Sequence, residues 1–196
     1  MNNKILNRLS NYTLDEYVED LTNLGLKQTW DYICEYVLSK GENDHFLNIA
    51  NFGEMYEIGL AVQDKLQKKK SGQYYTPDDI ASVMSGWFDE CKEDNICDVA
   101  CGTGKLILTY LNLIGEKRAK ELLNNGKIFL YDFDQTALKI CKTALMVKYD
   151  IKDHKVIHDI YCDFLDKKVH LPENARVISN PPYAGIDKFS ESWDIT

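Results

Sequence analysis

From residue 95 onward, short apolar runs alternate with segments of helical spacing, and this alternation restricts the fold of the chain more than any other feature. Residues 96–100 read as a strand and 105–113 as a helix; 127–131 is a second strand and 135–149 a second helix. Residues 155–161 read as a third strand and 176–179 as a fourth. Strands joined through helices run parallel, because a parallel pair needs a long crossover that a tight hairpin cannot supply. The expected fold class is therefore α/β, with a doubly wound, mainly parallel sheet of about four strands. Such a sheet places its chemistry at the carboxyl ends of its strands, where the strand order reverses.

The first 70 residues read as a helical region, and residues 71–196 as the α/β core. Leu14, Tyr17, Val18 and Leu21 recur at helical spacing, with Thr13 and Glu16 placed for a capping box. A second helix fits residues 30–38 and is closed by Gly41. A third fits residues 54–68, with Met55, Ile58, Val62 and Leu66 inward. The run Lys68-Lys69-Lys70 is most simply a solvated terminus that complements the helix dipole; contact with a phosphate backbone is the other reading. Ser71-Gly72 marks the break before the core.

The first strand runs into Asp98-Val99-Ala100-Cys101-Gly102-Thr103-Gly104-Lys105-Leu106. Gly102 and Gly104 let the backbone turn tightly and approach a ligand closely, and the following helix aims free N–H groups at it. A P-loop would need glycine at Val99 and Ser or Thr at Leu106, and a dinucleotide fingerprint would need glycine at Ile107. An adenosyl ligand without a pyrophosphate, S-adenosylmethionine (AdoMet), needs only the short turn and a strand-end acid. A purely structural strand-to-helix turn is the competing reading. Asp132 ends the second strand and suits ribose hydroxyls, whereas Asp134 suits a helix cap over residues 135–137. After the third strand, Asp163 could accept from an adenine amine and Phe164 cover the adenine face; an Asx-turn and a core phenylalanine are the alternative.

Asn180-Pro181-Pro182-Tyr183 follows the fourth strand. Two prolines fix two φ angles and remove two donors, which leaves a stiff segment offering a side-chain amide, bare carbonyls and an aromatic ring. An exocyclic amine on a base or amide is a poor nucleophile, because its lone pair is delocalised. Acceptors from Asn180 and the Pro181 carbonyl would favour the pyramidal amine that can attack a methyl group, while Tyr183 lies on the flat face of its carrier.

Taken in order, these segments resemble the AdoMet-dependent N6-adenine DNA methyltransferases, particularly the modification subunits of type I restriction systems and their fused type II relatives. The similarity spans most of residues 50–185. Gly72-Gln73-Tyr74-Tyr75-Thr76-Pro77 resembles that family's Gly-x-[Phe/Tyr]-[Phe/Tyr]-Thr-Pro motif, and residues 52–73 resemble the helix before it. Val99 stands where the family more often has Pro, and Lys105 where it has a small residue. The resemblance implies a Rossmann-like methyltransferase core and catalytic roles for Asn180, Pro181, Pro182 and Tyr183. It implies cofactor contacts from Tyr75, Thr76, Asp98, Ala100, Gly102, Gly104, Asp132, Phe133, Asp163, Phe164 and Asn180. No metal and no covalent enzyme intermediate are expected. His154, His158 and His170 lie near the third strand and suit loop or core roles, and His45 has no motif around it.

The implied partners are DNA, with the target adenine flipped out, and a specificity subunit or a further C-terminal region. The family's sheet usually has seven strands, so the core is expected to be a partial catalytic domain, truncated after the catalytic loop. The same loop also occurs in methyltransferases of protein glutamine amides and of guanine N2 in RNA. A third reading is an AdoMet-binding or partner-binding remnant without turnover. The net charge of −8 does not suggest a nucleic-acid wrapping protein, but leaves room for a local basic groove. None of the six cysteines forms the paired knuckles of a zinc site, so buried thiols are expected. With a polar start over residues 1–10 and no apolar run of membrane-spanning length, a cytoplasmic protein without membrane contact is expected.

Overall fold

The computed structural model describes residues 8–43, 46–67, 76–88, 94–164 and 169–181. The expected roles of Tyr75, Pro182 and Tyr183, the lysine run at 68–70, His45 and Cys91 lie outside the described residues.

Among the described residues, four α-helices of ten or more residues precede the sheet: α1 (Leu14–Leu24), α2 (Leu26–Lys40), α3 (Phe52–Gln67) and α4 (Asp78–Trp87). Both halves of the expected capping box form at α1: Glu16 N donates to the Thr13 hydroxyl, and Thr13 N donates to the Glu16 carboxylate (2.9 Å). Tyr17 and Leu21 of α1 are buried, whereas Leu14, in its first turn, stays exposed. Trp30 of α2 is fully buried and meets Tyr17, Phe52 and Tyr56 edge-on. Its indole N–H donates to the Tyr17 hydroxyl (3.1 Å), which in turn donates to the Met55 carbonyl (2.6 Å). Gly59 lets α1 and α3 approach: a Cβ there would lie 2.5 Å from Leu26 Cδ1 and 2.7 Å from the Tyr17 hydroxyl.

The core elements are β1 (Asn95–Val99), α5 (Lys105–Leu113), α6 (Glu116–Asn124), β2 (Ile128–Asp132), α7 (Gln135–Lys148), β3 (Ile157–Tyr161) and β4 (Ala175–Ile178). All strand pairs are parallel, in the order β3-β2-β1-β4. The chain builds outward from β1 to β3 and then returns to the other side of β1, so the order reverses between β1 and β4. That reversal is the doubly wound arrangement expected from the alternation.

One sheet face carries Ile96, Ile128, Leu130, Ile157 and Ile178, and α5, α6 and α7 cover it with Leu106, Ile107, Leu122, Cys141 and Leu145. The other face carries Cys97, Val99 and Tyr131, against which Phe129, Ile160, Phe164 and Val169 pack. The helical region joins the core through α7: Ala137, Ile140 and Ala144 belong to the same buried cluster as Trp30, Ile33 and Met55. Cys34, Cys97, Cys101 and Cys141 are buried thiols and Cys162 is half-buried. His158 takes a structural role, stacked on Phe129 with ring centroids 4.2 Å apart and donating to the Gly126 carbonyl (3.2 Å). Among the described residues, no helix is long and apolar enough to cross a membrane.

Two helices differ from the sequence reading. α4 and α6 fall in stretches that carried no helical expectation. The third strand is also shorter than expected, because residues His154–Val156 form a 3-10 turn before it. Asp153 caps that turn by accepting from Lys155 N (2.9 Å).

Candidate active site

The β1–α5 turn has three alternate left-handed positions, Ala100 (φ 59°), Gly102 (φ 52°) and Gly104 (φ 94°). Gly102 leaves open space where a Cβ would stand, so the backbone there can meet a ligand. Gly104 has the opposite reason. A Cβ on it would lie 2.5 Å from Cys141 Sγ, so glycine is what allows the turn to seat against α7. Cys101 N donates to the Tyr131 carbonyl (3.0 Å), which extends the β1–β2 ladder into the turn.

Asp98 supports this turn from beneath. Its carboxylate is fully buried, and Oδ2 accepts from Ile107 N in the first turn of α5 (3.1 Å). Oδ1 is buried without a hydrogen-bond partner among the described residues. Burial is the main reason that its pKa is pushed up to about 8; the Ile107 N–H opposes the rise and the Asp132 charge adds to it. The folded state therefore keeps a proton that the unfolded chain releases above the ordinary value of 3.8. Stability from this group is complete below the unfolded value and is lost as pH rises toward 8. Asp98→Asn, which mimics the neutral acid, should gain on the wild type as pH is raised from about 5 to about 8 in urea unfolding. A difference that stays constant across that range would contradict the assignment.

Asp132 closes the floor of the cleft at the end of β2. It is 6% exposed and accepts from Gly102 N through Oδ2 (2.7 Å) and from Asp134 N through Oδ1 (2.8 Å). Burial raises its pKa, and the backbone donors at Gly102 and Asp134 work against that rise. Asp134 does what its position suggested: Oδ1 caps α7 by accepting from Thr136 N (2.9 Å) and Ala137 N (3.1 Å). Its other oxygen accepts from the Tyr56 hydroxyl, which ties α3 to the end of β2.

The Asn-Pro segment closes the cleft at the end of β4. The Ser179 hydroxyl donates to the Val99 carbonyl, which anchors this loop to the end of β1. Asn180 Nδ2 donates to the Thr76 hydroxyl (3.0 Å), so the Thr-Pro segment and the Asn-Pro loop meet although 104 positions separate them. Thr76 itself is buried. Two positions on, Asp78 pairs with Lys105 at the start of α5.

One cleft gathers Thr76, Ala100, Gly102, Asp132, Phe133 and Asn180, with Thr103 and Lys105 at its edge. It lies where the β1 and β4 ends diverge, at the reversal of strand order. Asp98 and Gly104 support its floor. Asp163 and Phe164 are not among its lining residues: Asp163 is exposed, and Phe164 packs edge-on against Tyr131 (5.8 Å) on the opposite sheet face. Eight lining residues were not expected at the site: Cys101, Thr103, Lys105 and Ala137, and the α3 residues Gly53, Tyr56, Glu57 and Leu60. The α3 residues' spacing of 3, 4 and 7 from Gly53 puts them on one helical face, so the helical region forms a wall of the cleft.

The site suits an adenosyl ligand on its own geometry. It offers an open glycine turn at a helix start, a strand-end carboxylate and an exposed aromatic ring, Phe133, beside it.

The chain is 26% identical over 148 residues to the Type I restriction enzyme MpnII methylase subunit of Mycoplasma pneumoniae, a match covering 70% of this chain and 26% of that protein. It is 27% identical over 175 residues to the Type II methyltransferase M.VspI of a Vibrio species, covering 86% and 38%. It is 23% identical over 191 residues to the Type I restriction enzyme HindI methylase subunit of Haemophilus influenzae, covering 96% and 41%. The chain thus spans between about a quarter and two fifths of the length of these curated relatives. Residues 48–194 match the N-6 DNA Methylase family. The matched span takes in the cleft, the Thr-Pro segment and the Asn-Pro loop, and the chain belongs to that family.

Proposed function

We propose that this chain carries the cofactor-binding and amine-binding part of an AdoMet-dependent methyltransferase acting on the N6 amine of adenine in DNA. The observation that carries the proposal is the 3.0 Å hydrogen bond from Asn180 to Thr76 at the mouth of the glycine-turn cleft. It commits the amide nitrogen of Asn180 to Thr76, and the carbonyl oxygen is the atom assigned to the substrate amine in this reading. The Pro181 carbonyl adds a second acceptor on a backbone stiffened by proline. AdoMet, when bound, supplies a methyl group on a sulfonium.

The residues around it act by binding and positioning. Asp132 accepts from the ribose hydroxyls, and Gly102 and Ala100 let the ligand lie against the backbone. Asn180 and Pro181 draw on the amine protons and hold the nitrogen in line. Orientation of this kind supplies about 7–11 kcal/mol of rate enhancement in well-aligned reactions. Tyr183 stacks on the flipped base, worth about 1–3 kcal/mol. Two relatives are named as methylase subunits, which supports a further polypeptide or region that supplies DNA recognition. A cytoplasmic setting follows from the DNA substrate.

The test is transfer from methyl-labelled AdoMet to unmethylated DNA, RNA and a glutamine peptide in parallel, followed by digestion to single residues. Label in N6-methyl-2′-deoxyadenosine from the DNA, abolished by Asn180→Ala, is the expected result. Label confined to RNA or peptide would move the chain to the other planar-amine substrates. No label with intact cofactor binding would make it a binding component.

A further inference from the structure

The α3 wall carries a carboxylate that none of the roles above uses. Gly53, with Thr103 and Lys105, also borders the neighbouring cavity beside Asn112 and Lys148. Tyr56 and Leu60 instead border the cavity beside Asp134 and Thr136. α3 therefore runs lengthwise along the cleft. Its first turn, at Gly53, faces Thr103 and Lys105, whereas Tyr56 and Leu60 face the end of β2. Asp132 sits at the β2 end and takes the ribose, so the Lys105 end takes the part of the ligand remote from the base. In AdoMet that part is a zwitterion, with one ammonium and one carboxylate.

Only three ionisable carboxylate or ammonium side chains line the cleft among the described residues: Asp132, Glu57 and Lys105. Asp132 is held by Gly102 and Asp134 at the ribose end. Asp98 is fully buried beneath the turn and is not part of the lining. That leaves one anion and one cation at the zwitterion end. Glu57 is exposed on α3, one turn after Gly53. Lys105 is partly buried and pairs with Asp78, which follows the Thr-Pro segment. Tyr56, the residue beside Glu57, is fixed by its hydrogen bond to Asp134 and its contact with Trp30, so α3 presents Glu57 from a rigid wall.

Resting on the cofactor reading above, we propose that Glu57 and Lys105 form a two-sided clamp for the amino-acid end of the cofactor. Glu57 receives the ammonium and Lys105 the carboxylate, with Asp78 sharing Lys105. Burial already raises the pKa of Glu57, with the neighbouring Glu54 adding to the rise, and an ammonium partner would relieve both effects. The helical region then contributes directly to cofactor selectivity as well as to packing.

The experiment compares two ligands by calorimetry. S-adenosylhomocysteine carries the amino-acid end, and 5′-methylthioadenosine lacks it. The wild-type protein should bind the first more tightly. Glu57→Gln and Lys105→Met should each weaken S-adenosylhomocysteine by about tenfold, the scale of one charge-assisted contact, while leaving methylthioadenosine within about twofold. Retained methylthioadenosine binding also shows that each variant is folded. Wild-type preference preserved in either variant, or equal loss for both ligands, would overturn the clamp alone. Binding of neither ligand by the wild-type protein would instead overturn the cofactor reading on which the clamp rests.

Discussion

Replacing Asp132 with Ala should weaken S-adenosylhomocysteine binding by about tenfold to a hundredfold or more. Hydrogen bonds to a charged group contribute about 1.5–3 kcal/mol each, and about 1.4 kcal/mol corresponds to a factor of ten in affinity. The substitution acts twice. It removes the proposed ribose acceptor, and it leaves Gly102 N without the carboxylate that now receives it at 2.7 Å. The turn that forms the cofactor floor therefore loosens with the loss of the ligand contact. Asp132→Asn should lie between the two, because it preserves an oxygen but not the charge. Calorimetry reads both. Unchanged affinity in Asp132→Ala would contradict the ribose role.

The second large effect is on stability. Gly104→Ala should cost about 2–5 kcal/mol, a large share of a typical domain's 5–15 kcal/mol. About 1–2 kcal/mol comes from placing a Cβ at a left-handed position, here φ 94°. About 1–3 kcal/mol more comes from overpacking, because the new Cβ would stand 2.5 Å from Cys141 Sγ. Gly102→Ala provides the control: it shares the positive φ but meets nothing within 4 Å, so only the first cost applies. Adding Cys141→Ala to Gly104→Ala should recover part of the loss, since it removes the colliding sulfur. Urea midpoints measure all three. A Gly104→Ala protein as stable as the wild type would show that the turn does not seat against α7 as described.

Local signals made much of this fold readable. The β1–turn–α5 unit, the Thr13 box and the Asp134 cap each depend on residues within a few positions of one another. α6 escaped because its sequence is almost wholly polar: only Ala119, Leu122 and Leu123 are buried. Its signals were a preceding glycine and the charge pairs Glu116–Lys120 and Arg118–Glu121. α4 was hidden for another reason. Ile80, Val83 and Trp87 lie exposed, so its apolar residues do not trace a core-facing stripe. Pro77 followed by Asp78 and Asp79 was the usable start signal.

At the site, the strand-end residues were legible because α/β sheets put their chemistry there. The α3 wall was not, because Glu57 lies 41 positions before Asp98, and only tertiary packing through Trp30, Tyr56 and Asp134 brings that helix over the turn. Phe164 shows the converse. A residue of suitable type at a suitable strand tip has its ring against Tyr131, because that sheet face offers an apolar seat.

On the reading proposed above, the crevice at the β1 and β4 ends holds the adenosyl cofactor. Amide hydrogen exchange with and without S-adenosylhomocysteine tests it most directly. Exchange should slow at Gly102 to Lys105, at Phe133 and along the Gly53–Leu60 face of α3, with the far ends of α1 and α6 unchanged. Ligand binding with protection anywhere else, or no protection at these residues at saturating ligand, would contradict it.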